Sequence, residues 1–180
     1  MDEWSIATYG DPCRQCGYRW SLSLEEILDV MGDLPAGYRL VTARASGAER
    51  HPELAWSVTA YVCHVADNLR IWAERLQGAL LGSTRAVRSY DDNLLAEARG
   101  YDGIDLQAAL WSLTGAVGEW TATVLEARSR ERSGPPLALL HPERGEIRLV
   151  EVARANCHDA VHHRWDVQRV MDVGSGEPGP

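Results

Sequence analysis

Three of the chain's six histidines fall within six positions, in the stretch CHDAVHHRWD from Cys157 to Asp166. Imidazole at that density points to metal coordination, and the spacing decides which rings can work together. On an α-helix, residues four apart lie one above the other on a single face. His158 and His162 stand in that relation, so both rings can turn to one point, whereas His163 is rotated by about 100° and looks elsewhere. Two such histidines are half of a metal site, and bundle sites draw their remaining ligands from a facing helix. His64 is the candidate third ligand, since it shares an apolar face with Tyr61, Val65 and Asn68 in a second periodic stretch. A carboxylate on the other ring nitrogen would complete the hydrogen bonding of each ligand, and Asp67, Asp159 and Asp166 are placed to supply it. His163, His51 and His141 read as surface or loop residues.

Three imidazoles leave a coordination position open, which marks a catalytic rather than a closed structural site. Zinc is the expected ion, and nickel, iron and copper also suit imidazole. Such an ion can hold a thiol as thiolate for attack on carbon, or activate water against an amide or ester. No catalytic side chain is assigned beyond the metal ligands. Arg154, one turn before His158, Arg169, two turns after His162, and Asp91 with Asp92 in a connecting loop are candidate contacts for a small-molecule substrate. The competing reading of each is a solvated surface charge.

Cys13 and Cys16 form a lone CxxC. A zinc ribbon needs a second pair, and a thioredoxin-type redox motif needs a βαβ context. The two sulfurs can still reach one metal with help from a histidine or another cysteine, or form a strained disulfide. Local structural use or a partial zinc knuckle is the expectation, a second metal site or catalytic redox work the alternatives. Cys63 and Cys157 each precede an expected ligand, are turned away from it, and read as buried packing residues.

The elements that must position these groups are helical. Ser23 and Glu26 form a capping box for a helix that Pro35 and Gly37 are expected to interrupt. A long helix runs from the N-cap Ser57 to about Leu81, and a short one follows through LLAEARGY. A third long helix after Asp105 has the stripe Leu106, Leu110, Leu113, Val117, Trp120 and Val124, and the last runs from about Leu149 to Met171. LALLHPERGE is expected to hold a short extended segment and a turn. The organisation predicted is an irregular segment over 1–21, an all-α helical bundle over 22–173, and a disordered tail over 174–180.

Composition narrows the partners. The chain has 180 residues and a formal net charge of −8, with no basic block for tracking phosphates, so nucleic acid is not an expected partner. No apolar run approaches a membrane span, and the first residues lack a signal-peptide pattern. A cytoplasmic protein with reduced thiols is the expectation. Seven tryptophans imply that some are exposed, which leaves a homodimer open.

The stretches WSVTAYVCHVADNLRIWAERL and ANCHDAVHHRWDV resemble the two diagnostic helices of the DinB/YfiT-like superfamily. The segments YDDNLLAEARGY and LHPERGEIRLVEVARANCHD resemble it too, and PCRQCGY is similar to the opening of many actinobacterial members. The resemblance spans about residues 12 to 170. It implies a four-helix bundle with a divalent metal held by His64, His158 and His162. Related enzymes use mycothiol, bacillithiol or glutathione as thiol transferases or isomerases, and others are proposed metal-dependent hydrolases. The resemblance thus implies a metal-dependent transferase acting with a low-molecular-weight thiol such as mycothiol, with hydrolysis of an amide or ester as the alternative. A non-catalytic metal- or small-molecule-binding bundle is the third reading. Similar mycothiol-dependent maleylpyruvate isomerases have a glutamate among the last-helix ligands, where both matching positions here are histidine.

Overall fold

Ser23 opens the first long helix by a reciprocal cap: its hydroxyl accepts the Glu26 N–H at 3.3 Å, and the Glu26 carboxylate accepts the Ser23 N–H at 2.7 Å. The computed structural model describes residues 6–175. A one-turn helix, α1 (Ile6–Tyr9), lies within the segment expected to be irregular, and the capped helix is α2 (Leu24–Val41). Pro35 and Gly37 do not interrupt α2, contrary to expectation. Proline removes one N–H donor from the helix, but Leu34, Pro35 and Tyr38 are all buried, and that packing outweighs the local penalty. At Gly37 the helix runs close to the Arg164 side chain, which would have to shift if a Cβ were added there.

Side-chain caps begin the next helices as well. Ser57 accepts the Ala60 N–H at the start of α3 (Val58–Leu80), Asp91 caps α4 (Asp92–Arg99), and Asp105 caps α5 (Leu106–Ser133). All six expected stripe residues of α5 are buried. Between α5 and α6 (Leu149–Ser175) stands an antiparallel hairpin, β1 (Ala138–His141) and β2 (Gly145–Arg148), so the chain carries a small sheet as well as helices. The segment before α4 docks on this hairpin, with Val87 N–H bonded to Leu140 O at 3.0 Å and Leu140 N–H to Arg85 O at 2.8 Å. The last helix continues past Met171 through Ser175, which takes the first two positions of the expected tail, and residues 176–180 lie outside the described residues.

The long helices α2, α3, α5 and α6 form a four-helix bundle in which α6 packs against α2 and α3, and α5 packs against the same two. The core between them holds Ile27, Met31 and Leu34 of α2, Val62, Leu69 and Leu76 of α3, Leu113 and Trp120 of α5, and Ala153, Ala160 and Val167 of α6. Two polar links cross this core. Tyr38 O–H donates to the Ala160 carbonyl at 3.0 Å, and Trp120 Nε1–H donates to Asn156 Oδ1 at 2.9 Å. Among the described residues no helix is long and apolar enough to cross a membrane.

The Tyr38 link is a measurable part of this packing. Tyr38→Phe is expected to lower stability by about 1 kcal/mol, or roughly 2–4 °C in Tm, checked by thermal unfolding followed by circular dichroism.

Candidate functional site

Asp159 and His163 lie one turn apart on α6 and meet His64 of α3 across the helix–helix contact. All three are buried. Asp159 Oδ1 sits 3.6 Å from His64 Nε2 and 3.5 Å from His163 Nε2, so three donor atoms converge. The remaining atoms of the group are held from behind. Asn68 Nδ2–H donates to Asp159 Oδ2 at 2.7 Å, and Tyr90 O–H donates to Asn68 Oδ1 at 2.9 Å. His163 Nδ1 lies 3.0 Å from Asp166 Oδ2, and His64 Nδ1 faces Asp92 Oδ1 at 3.7 Å. Trp56 packs on His64 with ring centroids 4.7 Å apart, and Tyr61 packs on His163 at 5.2 Å.

The charges are set by this arrangement. Burial alone would raise the Asp159 carboxyl, but His163 and then His64 outweigh it and hold the group well below the ordinary carboxylate range. Burial would likewise lower His163, yet Asp159 and Asp166 lift it to about 9. Asp92 is pushed up, chiefly by its own burial.

The donor set fits a divalent cation. Ligand atoms in a tetrahedral sphere of nitrogen and oxygen stand roughly 3.3–3.6 Å apart, as bond lengths of 2.0–2.2 Å require. The Nε2 of His64 is buried with no hydrogen-bond partner among the described residues, and a metal bond would satisfy it. The Asp166–His163 contact is the carboxylate–imidazole pairing that orients a ligating histidine.

A cavity of about 450 Å³ opens beside this group. Its wall includes His64, Asp159 and Asp92 from the cluster, with Arg75, Tyr90 and Arg144 further out. The volume is that of a small-molecule site. Arg75 stacks over Trp72 at 4.4 Å and donates to the Arg88 carbonyl, so its guanidinium is fixed in place. His141 lines the same cavity from the hairpin.

The second pair of α6 histidines meets different partners. His158 and His162 lie beside Cys13 and Cys16, and one ligand atom from each of the four residues falls within 4.8 Å of the others. Cys13 Sγ stands 3.8 Å from His162 Nδ1. Tyr9 packs edge-on against both imidazoles at 4.8 and 4.9 Å, and Trp20 covers His158 at 4.5 Å. Burial lowers both histidines, His158 to about 4, which keeps the rings neutral. The Cys16 thiol is pushed up to about 12 by its own burial.

The structure therefore divides the expected ligand set. His64 is not brought together with His158 and His162; it joins Asp159 and His163 instead. His163, expected at the surface, is only 8% exposed and lies at the centre of a cluster. The spacing signal for it was present, because Asp159 and His163 are also four apart and Asp166 follows His163 by three. Asp159 stands among the converging donors rather than behind them. Asp166 backs His163. Asp67 turns away from the cluster, accepting Tyr101 O–H at 2.6 Å and pairing with Arg99 Nε at 3.0 Å.

Of the expected substrate contacts, Asp92 lines the cavity, and Asp91, Arg154 and Arg169 are engaged elsewhere. Asp91 caps α4 through the Asn93 and Leu94 N–H groups, while its neighbour Asp92 reaches the cavity. Arg154 Nε–H donates to the Leu22 carbonyl at 3.0 Å. Arg169 pairs with Glu53 at 3.1 Å and lies over Trp165. Cys63 and Cys157 are buried, and that burial pushes each thiol up to about 12.

No family model and no curated protein matches the chain. Among solved structures it is similar to YfiT from Bacillus subtilis, described as a probable metal-dependent hydrolase with an unusual four-helix bundle topology. The TM-score is 0.69 at 22% identity, over 89% of this chain and 93% of that one. The likeness shows the fold, a four-helix bundle like that of YfiT.

The position of Asp67 can be checked directly. Asp67→Ala strands a buried tyrosine hydroxyl and is expected to cost about 1–3 kcal/mol of stability. Metal content by mass spectrometry should equal that of the parent, since no atom of Asp67 belongs to either cluster.

Proposed function

We propose that the protein is a metal-dependent enzyme whose centre is His64, Asp159 and His163, and that it hydrolyses an amide or ester bond in a small polar substrate. The observation that carries this is the convergence of Asp159 Oδ1 with the Nε2 atoms of His64 and His163, of which His64 and Asp159 line a cavity of about 450 Å³. A divalent cation there would supply a Lewis acid and lower the pKa of a bound nucleophile. The residues of the chain do the remaining work. Asp166 and Asp92 orient the two imidazoles, and Asn68, itself held by Tyr90, fixes the Asp159 carboxylate. Trp56 and Tyr61 exclude water from the rear of the rings. Arg75 and Arg144 line the cavity together with Asp92 and Glu143, so its wall offers groups of both signs to a polar substrate. The bundle shared with a probable metal-dependent hydrolase supports the choice of hydrolysis.

One observation favours transfer to a small thiol as the second reading. The carboxylate of the maleylpyruvate isomerase-like ligand set, absent from the histidine-only reading, is present here as Asp159. A bulky polar thiol such as mycothiol would occupy the cavity beside the same three ligands.

Both readings share one test. His163→Ala is expected to lose one equivalent of bound metal and to abolish turnover on a panel of small amides, esters and thiol-plus-electrophile pairs. Asp166→Asn should keep the fold and weaken metal affinity about 10–100-fold in a chelator competition. Product analysis separates hydrolysis from thiol consumption. Full activity and unchanged metal content in His163→Ala would overturn the proposed centre.

A further inference from the structure

The four residues Cys13, Cys16, His158 and His162 lie outside the proposed active centre and bear a different donor chemistry. We propose that they form a second, closed metal site, a structural zinc centre that fastens the N-terminal segment to α6. Two thiols and two imidazoles are a complete tetrahedral set for zinc, with no position left for substrate. Three observations converge on it.

The first is the turn that carries the cysteines. Gly17 N–H bonds to the Cys13 carbonyl at 2.9 Å, and Cys13 N–H bonds to the Tyr18 carbonyl at 2.7 Å, folding CRQCGY back on itself. Gly17 has φ +74°, a left-handed conformation open to glycine and costly for other residues, so the turn needs a glycine just after the second cysteine. Both thiols are thereby carried to α6.

The second is the separation of the donors. The 3.8 Å between Cys13 Sγ and His162 Nδ1 lies close to the roughly 3.6 Å that zinc–sulfur and zinc–nitrogen bonds of about 2.3 and 2.0–2.1 Å require in a tetrahedron. The cysteines are free thiols rather than a disulfide. Zinc binding releases their two protons to solvent, and each sulfur enters as thiolate.

The third is what the site would hold together. The segment contains a helix of only four residues, and Tyr9, Tyr18 and Trp20 lie against His158 with ring centroids 4.5–5.3 Å apart. Arg154 ties the same segment to α6 through the Leu22 carbonyl. A zinc clasp adds the strongest of these links. It also bears on the neighbouring centre: His158 and His162 alternate along α6 with Asp159 and His163, so the clasp on one face fixes the rotation that aims the other pair at α3.

Cobalt substitution tests this on the whole protein. Cobalt(II) titrated into reduced, metal-free parent chain is expected to give an intense near-ultraviolet thiolate-to-cobalt band, with visible bands of tetrahedral strength. His64→Ala should keep the thiolate band and lose one equivalent of metal. Cys13→Ser/Cys16→Ser should lose the band, lose one equivalent of zinc as purified, and unfold at lower temperature. Absence of the thiolate band in the parent overturns the proposal, whether or not the double variant folds. So does a double variant that retains the parent's full metal content. A persistent thiolate band beside a fully active His163→Ala protein with unchanged metal content would reject the active centre and leave the clasp standing.

Discussion

A carboxylate buried in the middle of a helical bundle constrains everything around it. Asp159 is 5% exposed and charged, and an uncompensated charge in such a place would cost several kcal/mol. Its compensation comes from His64, His163 and Asn68, and these partners recruit supports of their own in Asp92, Asp166 and Tyr90. Partners and supports together come from α3, α4, α6 and the segment docked on the hairpin. Satisfying one carboxylate therefore sets the register of α6 against α3 and draws the cavity-forming segments to the same end of the bundle. In the proposed centre a dication would add positive charge beside Asp159.

The helical repeat of α6 then allows two centres within six residues. Positions 158 and 162 share one face, and positions 159 and 163 share a face about 100° away. One pair meets thiols under an aromatic cover, where the donors form a closed set. The other meets an imidazole and a polar cavity, where one side stays open. The same residue type serves two purposes because burial and neighbours differ: His158 is held neutral by desolvation, while His163 is raised by two carboxylates.

Much of this architecture is legible in the sequence because it is local. The Ser23–Glu26 box, the Ser57 cap and the buried stripe of α5 follow from spacings within a few residues, and the structure has them. Continuity of α2 through Pro35 is not legible, because tertiary burial of Leu34 and Tyr38 decides it. The site was half legible for a related reason. Spacing shows that two histidines share a face, but not which face of α6 meets α3, and two i, i+4 pairs offset by one residue were available. The partnership of Cys13 with His162 spans 149 positions, a relation that only the folded chain brings into view.

The most direct measurement is anomalous diffraction at the zinc edge from crystals of the purified protein. The expected map has one peak bonded to His64, Asp159 and His163, with His158 and His162 making no bond to that ion. A single peak shared by His64, His158 and His162 would contradict the division of α6 into two ligand faces, and with it the proposed active centre.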